Sequence, residues 1–319
     1  LPGSSEMLRA VRPGAERLQS RSANGCERSH GCKSRPIQRK AVDRRICRHK
    51  VRKVLAMSVE VHPTSVVENG AVLHDGVRIG PFCHVGSMAE LGAGTELISH
   101  ASVTGNTKLG ENCLLYPHAV LGCGPQVIGM RSTPDSRLEI GAGCVFREYA
   151  TAHSGMPKHG GLTKVGMACY IMIGAHIAHD CIIGNNVVMA NNVSLAGHIE
   201  VGDNVWFGGL SAVHQFSRIG RNAFIGGGAI VVDDVIPFGS VIGNHAKLAG
   251  LNTVGLKRRG FSKTDLHEIR AAYKAVFEGE GLFKDRLRKA AEDFAGRPLA
   301  MELINFVLEG GDRPICKPG

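Results

Sequence analysis

The chain has 319 residues, 43% of them apolar and only 5% aromatic, with 42 glycines. That is enough apolar mass for a core of small and aliphatic side chains, and no apolar run approaches the roughly 18 residues of a membrane span. The net charge of +10 belongs to one end, since residues 1–57 hold 15 Lys and Arg against 4 Asp and Glu, and the rest holds 23 against 24.

Residues 1–57 form a basic tail rich in Arg and Ser, with no sustained apolar period. The pattern predicts a transit peptide and an organelle location, the mitochondrion in preference to the plastid. A basic arm gripping phosphates competes, but no aromatic stands among the charges to stack on a base. No nucleic-acid partner is expected. Cys26, Cys32 and Cys47 lie in the tail with His30 and His49, at spacings poor for zinc. The ten cysteines contain no C-x-x-C pair, so free thiols are expected, and neither a metal nor any other cofactor.

From Val61 every sixth residue is aliphatic: Val61, Val67, Leu73, Ile79, Val85, Leu91, Leu97, Val103, Leu109, Leu115, Leu121. A compact residue follows four later, among them Ser65, Ala71, Cys83, Ala101 and Cys113. The phase reappears at Ile140 and Phe146, then runs from Val165 through Ile171, Ile177, Ile183 and Leu195 to Val231. A period of six fits neither a helix nor an alternating strand. It predicts a parallel β-helix in which each hexad is one strand and a corner, three hexads make a coil, and residues 18 apart stack. Gly and Asn after the aliphatic, as at Gly80, Gly92, Gly110, Gly166, Gly184, Asn185, Gly202 and Gly220, read as turn residues with positive φ. The phase drops at 122–139 and 153–164, which predicts loops off one face.

The solenoid is expected over 58–250 and a small helical domain over 251–319. Ser262 with Asp265 approximates a capping box. Apolar stripes then run through Leu266, Ile269, Tyr273, Val276 and Phe277; through Phe283, Leu287, Ala290, Ala291 and Phe294; and through Ala300, Leu303, Ile304, Val307 and Leu308.

In Ile177-Ala178-His179-Asp180-Cys181 the inward positions are Ile177 and Cys181, so His179, Asp180 and His176 face outward. Outward histidines on a prism are by default only solvated. Here His153, His176, His179, His198 and His214 gather in neighbouring coils, with Gly197 eighteen residues after His179 and His198 eighteen after Asp180. An imidazole beside a glycine N–H is the minimum equipment for acyl transfer, a base and an oxyanion donor.

The segments Gly174-Ala175-His176-Ile177-Ala178-His179-Asp180-Cys181, Leu195-Ala196-Gly197-His198, Ala212-Val213-His214-Gln215-Phe216 and Gly243-Asn244-His245-Ala246 resemble the UDP-N-acetylglucosamine O-acyltransferase family. So does Gly255-Leu256-Lys257-Arg258-Arg259-Gly260-Phe261, and the resemblance spans about 58–278. It implies an all-β, left-handed parallel β-helix with a small helical C-terminus, assembled as a homotrimer. The implied reaction moves a 3-hydroxyacyl group from acyl carrier protein to the 3-hydroxyl of UDP-N-acetylglucosamine, the first step of lipid A synthesis. By the same resemblance His179 is the base, Asp180 its orienting partner, and Gly197 the oxyanion donor. His153, His176, His198, His214, Gln215, Asn252, Arg258 and Gln126 are implied to bind substrate. Gly227 and His245 are implied to line the acyl groove, with glycine at 227 favouring a long chain. Lys257, Arg258 and Arg259 are implied to meet the carrier protein.

Two departures bear on substrate affinity. The family usually reads Pro-Gln-Asp-Leu-Lys-Tyr where this chain has Pro125-Gln126-Val127-Ile128-Gly129-Met130, with Arg131 as a candidate to replace the lost charge. It usually has a glutamate where Val254 stands. Two alternatives differ in class: a γ-type carbonic anhydrase, also a hexapeptide trimer, holding zinc across a subunit boundary on His176, His179 and His198, and a non-catalytic β-helix scaffold.

Overall fold

A computed structural model describes residues 58–130 and 133–319. The tail with its cysteines, the expected transit peptide, and Arg131 lie outside the described residues. Short strands, most of two residues, recur every six positions from Glu60–Val61 to Ile230–Val231 except at the two phase breaks. Up to Ala212–Val213 each pairs in parallel, except at the sheet ends, with the strands three before and three after it. Every third strand therefore joins one of three sheets, of 11, 9 and 8 strands, the first, second and third faces of a triangular prism. The register is the hexad register: Ile79 pairs with Leu97, Ile171 with Met189, and Ile177 with Leu195.

The aliphatic column fills the prism. Val85, Leu91, Leu115, Ile171, Ile177, Leu195 and Val231 are fully buried, and so are companions such as Ala101, Cys144 and Cys181. Only the first coil departs, with Val61 exposed at the end of the described solenoid. No helix among the described residues is long and apolar enough to cross a membrane.

The turn glycines have a different role from the one expected. Positive φ falls on the third residue after most inward aliphatics, at His100, Asn112, His118, Tyr149, Asp180, Asn186 and His198 among others. Gly92, Gly110, Gly141, Gly166, Gly184 and Gly202 stand one residue after the aliphatic and have ordinary φ. A Cβ on any of them would come within 2.5–2.7 Å of the coil above. These glycines form a column that lets the coils close to strand spacing at one corner.

Both phase breaks enlarge the corner between the second and third faces. The first leaves the second face after Val120–Cys123 and returns at Arg137–Ile140. The second leaves after Thr151–His153, makes a 3₁₀ turn at Pro157–His159, and re-enters at Leu162–Val165.

Past Val231 the strand Gly239–Ile242 continues the first face and takes Lys247–Leu251 as an antiparallel edge. Four helices follow: α1 (Thr253–Arg258), α2 (Lys263–Phe277), α3 (Phe283–Asp293) and α4 (Pro298–Glu309). Ser262 and Asp265 form a full capping box on α2, and Pro298 opens α4 at its first turn, where its missing N–H costs nothing. Arg218 fixes α4 to the prism: its guanidinium meets fully buried Asp234 at 2.8 Å and donates to the Phe306 carbonyl at 3.1 Å.

Candidate active site

The second face ends, coil after coil, at the enlarged corner. There His179 and Asp180 follow Ile177, Gly197 and His198 follow Leu195, and His214 to Phe216 follow Val213. Asp180, His198 and Phe216 hold the positive-φ slot of their coils, at 60°, 60° and 65°. The His198 ring stacks on Phe216 at 4.7 Å and meets His179 edge-on at 5.2 Å.

Asp180 is the hub. Its Oδ2 accepts from His179 Nδ1 at 2.8 Å and lies 3.7 Å from His198 Nε2. Its Oδ1 accepts from the Met156 backbone N–H at 2.9 Å, and its own N–H donates to Thr163 Oγ1 at 2.8 Å. The second insertion therefore folds over the corner and buries what the repeat alone would leave solvated: the side chains of Asp180 and His179 are 5% and 12% exposed. A carboxylate accepts, so Nδ1 of His179 donates, and in the neutral ring this tautomer leaves the lone pair on Nε2.

Gly197 packs on that imidazole. A Cβ there would collide with the ring, lying 2.8 Å even from Nε2. The second residue after each inward aliphatic has an N–H that coil-to-coil pairing does not use, which is why Pro63, Pro81 and Pro117 occupy that position elsewhere without loss. At Gly197 the same N–H has no acceptor among the described residues. It is free for a ligand beside the ring.

His176 and His153 sit on the second face, 5.1 Å apart ring to ring, with His176 Nδ1 bonded to Thr151 Oγ1 at 2.8 Å. Burial pushes the His176 pKa down to about 4, with His153 and His179 adding to the effect. Burial also lowers His153 and His198. These rings are neutral hydrogen-bonding groups near pH 7, and His153 Nδ1 is buried without a partner among the described residues. In the next coil Arg313 of the C-terminal segment reaches His214 Nδ1 at 2.6 Å and the Gln215 carbonyl at 3.1 Å.

The remaining candidates stand elsewhere. Asn252 caps α1, accepting from the Gly255 N–H at 3.0 Å and donating to the Asn222 carbonyl at 3.0 Å. With Arg258 and Arg259 it lines a pocket of about 570 Å³ against Trp206 and Phe224, which belong to the first face. Within one chain the fold does not bring Asn252 or Arg258 to the His179 corner. Burial lowers the Arg259 pKa, and its guanidinium reaches Asn222 Oδ1 at 3.2 Å, whereas Lys257 is exposed. Gln126 is exposed on the first insertion, and Gly227 and His245 are exposed at the far edge of the second face. Within one chain His176 does not join His179 and His198: its Nδ1 bonds to Thr151 and its ring lies edge-on to His153. Among the described residues the one convergent group is His179, Asp180 and His198, with ligand atoms within 4.8 Å of one another.

Sequence reasoning missed Met156, Thr163, Phe216 and Arg313. The phase break at 153–164 was the available signal for the first two; nothing in the repeat pointed to Arg313, which arrives from 98 residues away.

A parallel β-helix that carries a histidine–carboxylate pair at one corner defines a hexapeptide-repeat transferase, and residues 162–197 match the bacterial transferase hexapeptide family. Residues 234–316 match the second domain of UDP-N-acetylglucosamine O-acyltransferase. The acyl-[acyl-carrier-protein]–UDP-N-acetylglucosamine O-acyltransferase of Rhizobium johnstonii is 44% identical over 264 residues, covering 83% of this chain and 97% of that protein. The enzyme of the same name from Bartonella henselae is 44% identical over 81% and 94%. The crystal structure of UDP-N-acetylglucosamine O-acyltransferase from Moraxella catarrhalis superposes with a TM-score of 0.77 at 36% identity, over 81% of this chain and 99% of that one. The chain belongs to the UDP-N-acetylglucosamine O-acyltransferase family, and its solenoid is a left-handed parallel β-helix.

The expected organelle location is overturned. The relatives at 42–44% identity are proteins of bacteria such as Rhizobium, Bartonella and Agrobacterium, cells with no mitochondrion or plastid to enter. The transit-peptide and mitochondrial readings of the basic tail fall with it; an Arg- and Ser-rich composition does not by itself distinguish a leader from any other basic extension.

Proposed function

We propose that the chain transfers a 3-hydroxyacyl group from acyl carrier protein to the 3-hydroxyl of UDP-N-acetylglucosamine, with His179 as general base. The observation that carries the roles is the 2.8 Å bond from His179 Nδ1 to Asp180 beside the unpaired N–H of Gly197. His179 Nε2 takes the hydroxyl proton as that oxygen attacks the thioester carbonyl. Negative charge develops on the carbonyl oxygen, where the Gly197 N–H receives it. The C–S bond then breaks, and the proton held on His179 passes to the leaving thiolate. Asp180 fixes the ring and stabilises its charged form, as the carboxylate of a hydrolase triad does.

His153, His176 and His198 serve as neutral hydrogen-bonding groups along the second face, and the partnerless His153 Nδ1 suits a substrate hydroxyl or carbonyl. Asn252 and Arg258 bind the nucleotide from a neighbouring chain, because their pocket lies on a different face from His179. A homotrimer meets that requirement. The exposed ridge of Phe82, Tyr149 and Leu210 along the corner between the first and second faces supplies apolar surface for such contacts. The acyl chain runs past Gly227, where a Cβ would meet only the Gly209 carbonyl oxygen at 3.4 Å, and Lys257 with Arg258 and Arg259 offers positive charge to the acidic carrier.

Purified protein, 3-hydroxyacyl carrier protein and UDP-N-acetylglucosamine should yield the 3-O-acylated sugar nucleotide. Absence of that product with every 3-hydroxyacyl chain length tried refutes the activity, and a monomer in sedimentation refutes the shared cleft.

A further inference from the structure

We propose that His179, Asp180 and His198 form a reversible zinc site whose occupation stops acyl transfer. Three ligand atoms converge from two adjacent coils: His179 Nδ1 and Asp180 Oδ2 at 2.8 Å, and Asp180 Oδ2 and His198 Nε2 at 3.7 Å, all within 4.8 Å of one another. Tetrahedral zinc with bonds of roughly 2.0–2.1 Å places its ligands about 3.3 Å apart, so the two pairs that include Asp180 Oδ2 are about half an ångström from that spacing, and a turn of the His198 ring closes the remaining pair. Two imidazoles and one carboxylate, with the fourth position left to water, is a common open zinc set. The donors are also held in place. Asp180 is pinned through Oδ1 by the Met156 N–H and through its own N–H by Thr163, while Phe216 supports the His198 ring. Such outer partners raise metal affinity by orienting ligands before the ion arrives.

The consequence for turnover is a matter of tautomers and rests on His179 being the base. Zinc at Nδ1 displaces the proton that Nδ1 now donates to Asp180. The neutral ring then carries its one proton on Nε2 and has no lone pair there to receive the substrate proton. One ion therefore removes both the base and its orienting carboxylate.

The test titrates zinc chloride into the full chain, freed of metal, in a buffer that does not chelate. Calorimetry should give one zinc per chain, and transfer should fall at least about tenfold at saturation and return on adding EDTA. Magnesium should do neither, since nitrogen donors select against it. His198→Gln should weaken zinc binding by about tenfold or more, as loss of an outer partner alone costs that much, and Lys108→Gln, far from the corner, should leave it unchanged. No zinc uptake at millimolar metal, or equal uptake by His198→Gln, overturns the site while leaving the base assignment standing. Stoichiometric zinc with undiminished turnover overturns the switch and refutes His179 as base.

Discussion

Asp180→Asn isolates the tautomer from the packing. Asparagine tolerates the positive φ of 60° at this position as well as aspartate does. Its Oδ1 can still accept from the Met156 N–H, now at 2.9 Å, and its backbone N–H can still donate to Thr163. What changes is the group facing His179 Nδ1, since an amide NH₂ donates where the carboxylate oxygen accepted. The ring must answer with its lone pair at Nδ1 and its proton at Nε2, the wrong tautomer for a base. The same exchange in a serine-protease triad costs about 10⁴-fold in kcat, which corresponds to about 5.5 kcal/mol of barrier. Stability should change by about 1 kcal/mol, the worth of one exchanged hydrogen bond, or roughly 2–4 °C for a domain of this size. Steady-state transfer of acyl groups to labelled UDP-N-acetylglucosamine gives kcat and KM, and scanning calorimetry gives Tm. The expected result is a collapse of kcat with nearly unchanged KM and only that small shift in Tm. A kcat within tenfold of the parent, or a Tm lower by more than about 5 °C, refutes the reasoning.

Thr163→Val keeps the shape but orphans the Asp180 N–H, so denaturant unfolding should show a loss of about 1–3 kcal/mol; kcat should drop with it, and Thr163→Ser should restore both. The His176 pKa of about 4 lies below its ordinary 6.5, so between these pH values the unfolded chain binds a proton that the folded ring refuses. Stability must fall as pH falls through that window, and His176→Gln should make the fall shallower in unfolding midpoints measured from pH 7 to pH 4. Gly227→Met has room for its Cβ and should shift preference to shorter acyl chains by roughly 10–200-fold in kcat/KM per methylene excluded; an unaltered chain-length profile places the groove elsewhere.

The solenoid was legible because the hexad writes the core directly. Ile171, Ile177 and Ile183 announce an inward column, and the same spacing brings His179 beside Gly197 and Asp180 beside His198. The role of the glycines was misread because sequence shows where a small residue recurs but not why: at Gly92 or Gly202 the constraint is the coil above, not the backbone angle. The Met156 and Thr163 contacts were illegible for a related reason. A break in the period says that chain is inserted, while the path it takes depends on the corner it covers. Asn252 read as a substrate ligand because the motif was recognised, and its capping of α1 emerged only with the helix.

Positive φ in residues other than glycine is commonly used as a flag for function, because a fold tolerates such angles sparingly. In this solenoid the flag loses its meaning. Phe82, His100, Asn112, Tyr149, Asn186 and Leu210 adopt the same conformation as Asp180 and His198, one per corner along the prism. The cost is uniform, recurring with the architecture whatever side chain stands there. Placing an acid and an imidazole in two of these slots therefore adds no backbone penalty beyond what an inert coil already carries. A search for chemistry in proteins of this kind should follow departures from periodicity, where extra chain closes over a corner and takes water away from it.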